Sequence, residues 1–139
     1  MTILSSEVVS FLHLPIISIV ATINGDGSPH LTPVWHLLKG DRVFLTVENH
    51  SKKASNLRNN PKISLCVATW KIPQEWVMVN GKATIHSDRV HEMVRAISVV
   101  YKGEKEGNEH ADRVLQELDF VLVSIKPRSV VSRLGTETD

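Results

Sequence analysis

The sequence predicts a mainly β, antiparallel fold, a small barrel with peripheral helices. Three observations carry that expectation. Runs rich in β-branched residues follow one another from residue 16 onward. Turn signals separate them, "NGDGS" at 24–28 and "KGD" at 39–41, and Asn-Gly and Asp-Gly pairs are strong hairpin signals. The clearest helical periodicity comes late, in "SDRVHEMVRAISVVY" at 87–101. Consecutive strands joined by hairpins, with helices inserted afterwards, imply an antiparallel barrel.

Each element has its own justification. "SSEVVSFLH" (5–13) reads as an entry helix with Ser5 or Ser6 as cap and Val8, Val9, Phe11 and Leu12 on its apolar side. Pro15 stops it. "IISIVATIN" (16–24) is the first strand, "PHLTPVWHLL" (29–38) returns, and "RVFLTVE" (42–48) is the third. A short helix follows Ser51, opening on Lys52 and Lys53. "KISLCVAT" (62–69) is next. After a loop at Pro73 comes "EWVMVNGKATI" (75–85), in which Val77, Val79, Ala83 and Ile85 share one face as in a half-buried strand. The helix at 87–101 takes Ser87 or Asp88 as cap and repeats Val90, Met93, Val94, Ile97 and Tyr101 at helical spacing. "KGEKEGN" reads as a mobile loop, 109–117 as a second short helix, and 119–134 as a strand pair broken at Pro127.

Composition bounds the function. The 139 residues form one expected domain, 1–139, large enough for a core. Sixteen Lys and Arg against fifteen Asp and Glu leave a net charge of +1, which argues against nucleic acid as a partner. The N-terminal stretch carries acid and serine and does not read as a signal peptide. The most apolar run, 16–23, is too short to span a bilayer, so no membrane association is expected. Cys66 stands alone, which excludes an internal disulfide and fits a cytoplasmic protein.

The familiar catalytic constellations are missing. Seven histidines are present, yet none forms HExxH or a zinc-spaced pair. Cys66, inside "ISLCVA", reads as a buried, inert thiol. There is no GxSxG, GxGxxG or Walker lysine motif, and Asp26 and Glu48 are isolated. No catalytic residue and no metal site is expected.

Two stretches remain unexplained by packing alone. In "LTVENHSKKASNLRNNP" (45–61) two lysines open a helix, against the positive end of its dipole, at a cost of roughly 0.3–1 kcal/mol. A phosphate there would reverse the sign. Unpaired N–H groups, the dipole, Ser51 and two ammonium groups all favour an anion. Solvated lysines that lose almost nothing are the plainer reading. In "DGSPHLTPVWHL", Pro33 lacks a ladder N–H and belongs at an edge or interruption, where free backbone groups can meet a planar ligand. Trp35 is either an aromatic wall for that ligand or a core residue.

At these residues the chain resembles a known family. "VATINGDGSPHLTPVW", "DRVFLTVENHSKKASNLRNNPKISLCVATW" and "EWVMVNGKATI", in this order, are similar to the pyridoxamine 5′-phosphate oxidase-related, FMN-binding split-barrel family. The similarity runs from about residue 8 to 133, and "DGSPHLTPVW" resembles the flavin/deazaflavin oxidoreductase branch. The resemblance implies a split β-barrel acting as a homodimer, with cofactor in grooves between protomers. It implies that the strand with His30, Leu31, Thr32, Pro33, Val34 and Trp35 meets the ring. Leu45, Thr46 and Val47 would lie along ring and ribityl chain, and Ser51, Lys52 and Lys53 would hold the phosphate. Trp76 falls where related oxidases often place a glutamine reaching across the dimer. The chain departs from the true oxidases at "IKPRSVVSRLGTETD", which has no tryptophan, so vitamin B6 chemistry is not implied. Arg133 is the one candidate for the cofactor groove in that segment.

The implied function is an oxidoreductase that uses FMN, or the 5-deazaflavin coenzyme F-420, to move hydride to or from a small organic substrate. The alternative is a non-catalytic flavin or haem carrier of the same fold, with histidines as haem ligands.

Overall fold

The structure is a computed structural model in which residues 3–135 are described. Along the chain run α1 (Ser6–Leu12), β1 (Ser18–Ile23), β2 (Pro29–Val34), β3 (Leu37–Lys39), β4 (Arg42–Glu48), α2 (Lys52–Asn59), β5 (Lys62–Ala68), β6 (Trp76–His86), α3 (Val90–Lys102), α4 (Glu104–Glu117) and β7 (Phe120–Arg133). All seven strands join one antiparallel sheet in the order β2-β1-β5-β6-β7-β4-β3.

The order of the edges explains the shape. β2 and β3 are the two edge strands, yet only Trp35 and His36 separate them in the chain. From Val34 to Leu37 there are three Cα–Cα steps, which reach about 11 Å at most. The sheet must therefore curl until its edges nearly meet, and no ladder joins β2 to β3. The result is a barrel left open along one seam, the split β-barrel that the family resemblance implied. The strand expected over 29–38 is thus two strands, and Pro33 lies on an edge strand, opposite Ile19 of β1.

Alternation along the strands fills the interior. Leu65 and Val67 of β5, Val77 and Val79 of β6, and Val123 and Ile125 of β7 are all fully buried. Val8, Phe11 and Leu12 of α1 join this cluster, and Ser5 caps their helix by accepting from the Val8 N–H at 3.2 Å. Phe44 and Leu122 project to the opposite face of β4 and β7, where Met93 of α3 covers them. Cys66 lies on an outer face too, half-buried rather than in the core, and burial pushes its thiol up, which disfavours the thiolate. Among the described residues no helix is long and apolar enough to cross a membrane.

Three further expectations change on folding. "KGEKEGN" is not a loop: Lys102 ends α3, Gly103 turns the chain, and 104–108 begin α4. Gly103 makes the turn at φ 87°, and Glu104 and Glu106 then occupy the first helical turn, where the dipole favours acids. Gly107 lets α4 approach α3, since a Cβ there would lie 2.5 Å from the Cα of Val99. The helix α3 starts at Val90 after Arg89 in left-handed conformation, with no side-chain cap from Ser87 or Asp88. Finally, 119–134 is one strand. Its ladder with β6 shifts register between Asn80 and Gly81, so that Pro127 opposes Gly81 and Ser129 opposes Asn80. The extra residue, Arg128, forms a bulge that absorbs the missing proline N–H.

Gly81 is the counterpart of that bulge. A Cβ at this position would lie 2.3 Å from the Lys126 carbonyl oxygen, a backbone atom that cannot swing aside. Gly81→Ala should destabilise the fold by about 1–3 kcal/mol, read as a lower urea midpoint. An unchanged midpoint would show that the β6–β7 ladder is not tight here.

Candidate functional site

The open seam holds a cavity of about 250 Å3. Pro33, Val34 and Trp35 line it from the end of β2, and Thr46, Val47 and Glu48 from β4. Lys53 enters from α2, and α3, α4 and Phe120 close the remaining side. Its walls are mostly apolar, with the Lys53 ammonium at the α2 end and the Glu48 carboxylate also on the lining.

The start of α2 explains where that ammonium sits. Ser51 caps the helix by accepting from the Ala54 N–H at 3.2 Å, and its own N–H donates to the Glu48 carbonyl at 3.0 Å. The Ser51 N–H is therefore used, and the free donors of this terminus are the Lys52 and Lys53 N–H groups. Asn56, buried on the same helix, donates to Thr22 Oγ1 at 3.1 Å and to Asn24 Oδ1 at 3.0 Å, which locks α2 onto β1. With the helix fixed, the two lysines part. Lys52 points into solvent. Lys53 is half-buried and donates to Thr32 Oγ1 at 3.0 Å, and burial lowers its pKa.

A buried imidazole sets the other end. His36 is 2% exposed, and its Nε2–H donates to the Leu12 carbonyl at 2.8 Å, which leaves Nδ1 to accept from Ser18 Oγ. The Tyr101 hydroxyl donates to the Ile16 carbonyl at 2.9 Å and accepts from the His36 N–H at 3.1 Å. The Tyr101 ring stacks on Trp35, centroids 5.0 Å apart and 7° from parallel. Trp35 is thereby held on the seam, and His110 of α4 lies tilted against it at 5.3 Å.

Not every expected site residue reaches the cavity. Pro33, Val34, Trp35, Thr46, Val47 and Lys53 meet there. Leu45 points into the core at 1% exposure, Leu31 faces outward at 61%, and Thr32 acts through Lys53. His30 shares the Thr32 face of β2, and its buried Nδ1 has no partner. Ser51 is the helix cap, and Lys52 stands outside. Trp76 begins β6 opposite Arg133 and lies away from this cavity within one chain. Sequence reasoning missed the contributions of α3 and α4, among them Ile97, His110 and Val114. His110 lies in the segment expected as a second short helix, and its sequence neighbours give no sign that it meets Trp35. A wider groove of about 670 Å3, between α1 and the end of β7, presents Glu7 and Glu75 and no cation.

An antiparallel barrel open along one seam, with a cation from a helix start at that seam, defines the split-barrel class. The chain belongs to the pyridoxamine 5′-phosphate oxidase family, whose pattern matches residues 4–127. No curated protein matches it in sequence. Among solved structures, a conserved hypothetical protein of Mycobacterium tuberculosis is 26% identical, with 92% of this chain and 82% of that one covered and a TM-score of 0.76. An F420 reductase is 20% identical over 88% and 94%, with a TM-score of 0.72. HutZ, the haem storage protein of Vibrio cholerae, is also 20% identical, over 99% and 100%, with a TM-score of 0.72. The last two share the fold.

The His36 network makes stability pH-dependent. Burial lowers the imidazole pKa below its ordinary 6.5, so the unfolded chain binds a proton that the native one resists. Stability is then fully present above pH 6.5 and falls as pH drops toward the folded value, with a slope of at most about 1.4 kcal/mol per pH unit. Urea midpoints between pH 5 and 8 should show this, and His36→Gln should lower the plateau and flatten the slope. An identical slope in the variant would assign it to other groups.

Proposed function

We propose that this chain is a flavin- or deazaflavin-dependent oxidoreductase that works as a homodimer and acts on a small organic substrate. The observation that carries this reading is the convergence of Pro33–Trp35, Thr46, Val47 and Lys53 in one cavity. A slot with apolar and aromatic walls beside one ammonium suits a planar ring that ends in a phosphate. The half-buried Lys53 and the unpaired N–H groups of the α2 start hold that phosphate, Thr32 keeps Lys53 in place, and the Ser51 hydroxyl still has a proton to donate. Val34, Val47, Ile97 and Val114 exclude water from the ring. When bound, the cofactor ring supplies the hydride chemistry, so the chain needs no acid or base of its own.

A second copy completes the site. The cavity of about 250 Å3 falls short of the roughly 300–1,000 Å3 usual for ligand pockets. Beside it, Pro33, Ile19, Cys66, Met78 and Val131 form one cross-strand row over five strands of the outer face. Ile19 and Val131 are 42% and 46% exposed, and such a patch argues for a protein partner. Trp76, at the same end of β6 as this face, is then the residue that reaches the neighbouring protomer's cofactor. Ligand affinity should fall on dilution through the dimer dissociation constant. A cofactor-loaded monomer in sedimentation would contradict this.

FMN stands slightly ahead of F-420. The deazaflavin coenzyme carries an anionic tail beyond its phosphate and benefits from a basic track leading outward. Arg58, one candidate for that track, is engaged with the Asn49 carbonyl and side chain, and Glu104 and Glu106 flank Lys105 on α4. Titration of each cofactor settles the order, and a tenfold tighter F-420 complex, about 1.4 kcal/mol, would reverse it. The visible spectrum of the protein as purified separates flavin, deazaflavin and haem, and a haem spectrum would favour the carrier alternative.

The two lysines should differ. Lys53→Ala should weaken FMN by about 1.5–3 kcal/mol, the range for a hydrogen bond to a charged group, and leave riboflavin nearly unchanged. Lys52→Ala, at the exposed position, should cost less. Equal losses for FMN and riboflavin would remove the phosphate from this end of the cavity.

A further inference from the structure

The helix α4 brings to the cavity a side chain that neither the strand pattern nor the lysine motif singles out. His110 lines it with Pro33, Val34 and Trp35, and also borders the adjoining concavity over Ile17. It stands on the lip between the two. A neighbour fixes its tautomer. Arg113 Nη2 lies 3.0 Å from His110 Nδ1, and a guanidinium has only N–H groups to offer. Nδ1 therefore accepts, and in the neutral ring the proton sits on Nε2. That atom makes no hydrogen bond among the described residues. His110 is only half-buried, so this N–H is open on the lip of the cavity. Behind it, the Trp35–Tyr101 stack leaves the imidazole a firm backing.

We propose that His110 Nε2–H donates a hydrogen bond to a ring carbonyl oxygen of the cofactor held in the seam, so that α4 clamps the ring from the side opposite the strands. This rests on the flavin or deazaflavin reading above. Both ring systems carry the same pair of pyrimidinedione carbonyls, so the donor serves either. Burial, Lys102 and Arg113 all lower the His110 pKa, which keeps the ring neutral and its tautomer defined near neutral pH.

The test is the binding of FMN and riboflavin to the full chain by equilibrium dialysis, together with the infrared carbonyl bands of the bound ring. His110→Ala should raise both dissociation constants by the same factor, about tenfold for one lost hydrogen bond, and shift a carbonyl band to higher frequency. His110→Gln, which keeps an N–H donor, should restore most of the affinity and part of the band position. This pattern differs from that of Lys53→Ala, which selects against FMN alone. Unchanged constants and an unmoved band in His110→Ala, with Lys53→Ala still selective, would overturn the clamp and leave the cofactor reading standing. A wild-type protein that binds neither ring would overturn both. Should His110→Ala fail to fold, His110→Phe, which keeps a ring against Trp35 but has no N–H to donate, takes its place, and an unmoved band there contradicts a direct contact.

Discussion

A neutral imidazole in the interior ties together segments that are remote in sequence. Through His36, the end of α1 (Leu12), the start of β1 (Ser18) and the junction between the two sheet edges share one hydrogen-bond network, which Tyr101 extends to the end of α3. Every polar atom of that ring has a partner, so its burial does not carry the desolvation penalty of an orphaned group. The network sits where the chain must step from β2 to β3, the one place where the sheet has no ladder to hold it. Side chains there take over the work that backbone hydrogen bonds do elsewhere in the barrel.

The seam and the site are consequences of that step. Two residues bring the sheet edges together but cannot zip them, and the gap they leave is lined by whatever the strand ends present. Trp35, stacked on Tyr101, walls one end. At the other, Asn56 pins α2 against β1, so Lys53 reaches the gap while Lys52 faces solvent. A lysine that is disfavoured by the dipole and further disfavoured by burial is an arrangement that an anion relieves.

The same geometry explains why the sequence lacks catalytic signatures. On the proposed reading, the site has only to supply shape, a phosphate anchor and exclusion of water, and these come from ordinary residue types. Valine, isoleucine and proline at the seam look like any strand residue until the barrel curls. The cavity and the apolar cross-strand row share Pro33, so the seam and this outer face are continuous.

What the sequence determined was local. Alternation in "EWVMVNGKATI", the hairpin signal at 24–28, a capping serine before α1 and a Pro33 kept out of the middle of the sheet all follow from interactions within a few residues, and the structure has each of them. The order of motifs carried the family. Tertiary structure decided the rest, because those outcomes depend on contacts between segments far apart. It split 29–38 into opposite edges of the sheet. It made "KGEKEGN" a helix by letting Gly107 dock on Val99, and carried β7 through Pro127 by placing Gly81 opposite the bulge. It turned Lys53 inward and Lys52 outward, since only a helix already fixed by Asn56 distinguishes two adjacent residues. It also brought His110 to Trp35, 75 residues away in the chain, a juxtaposition that no local pattern encodes.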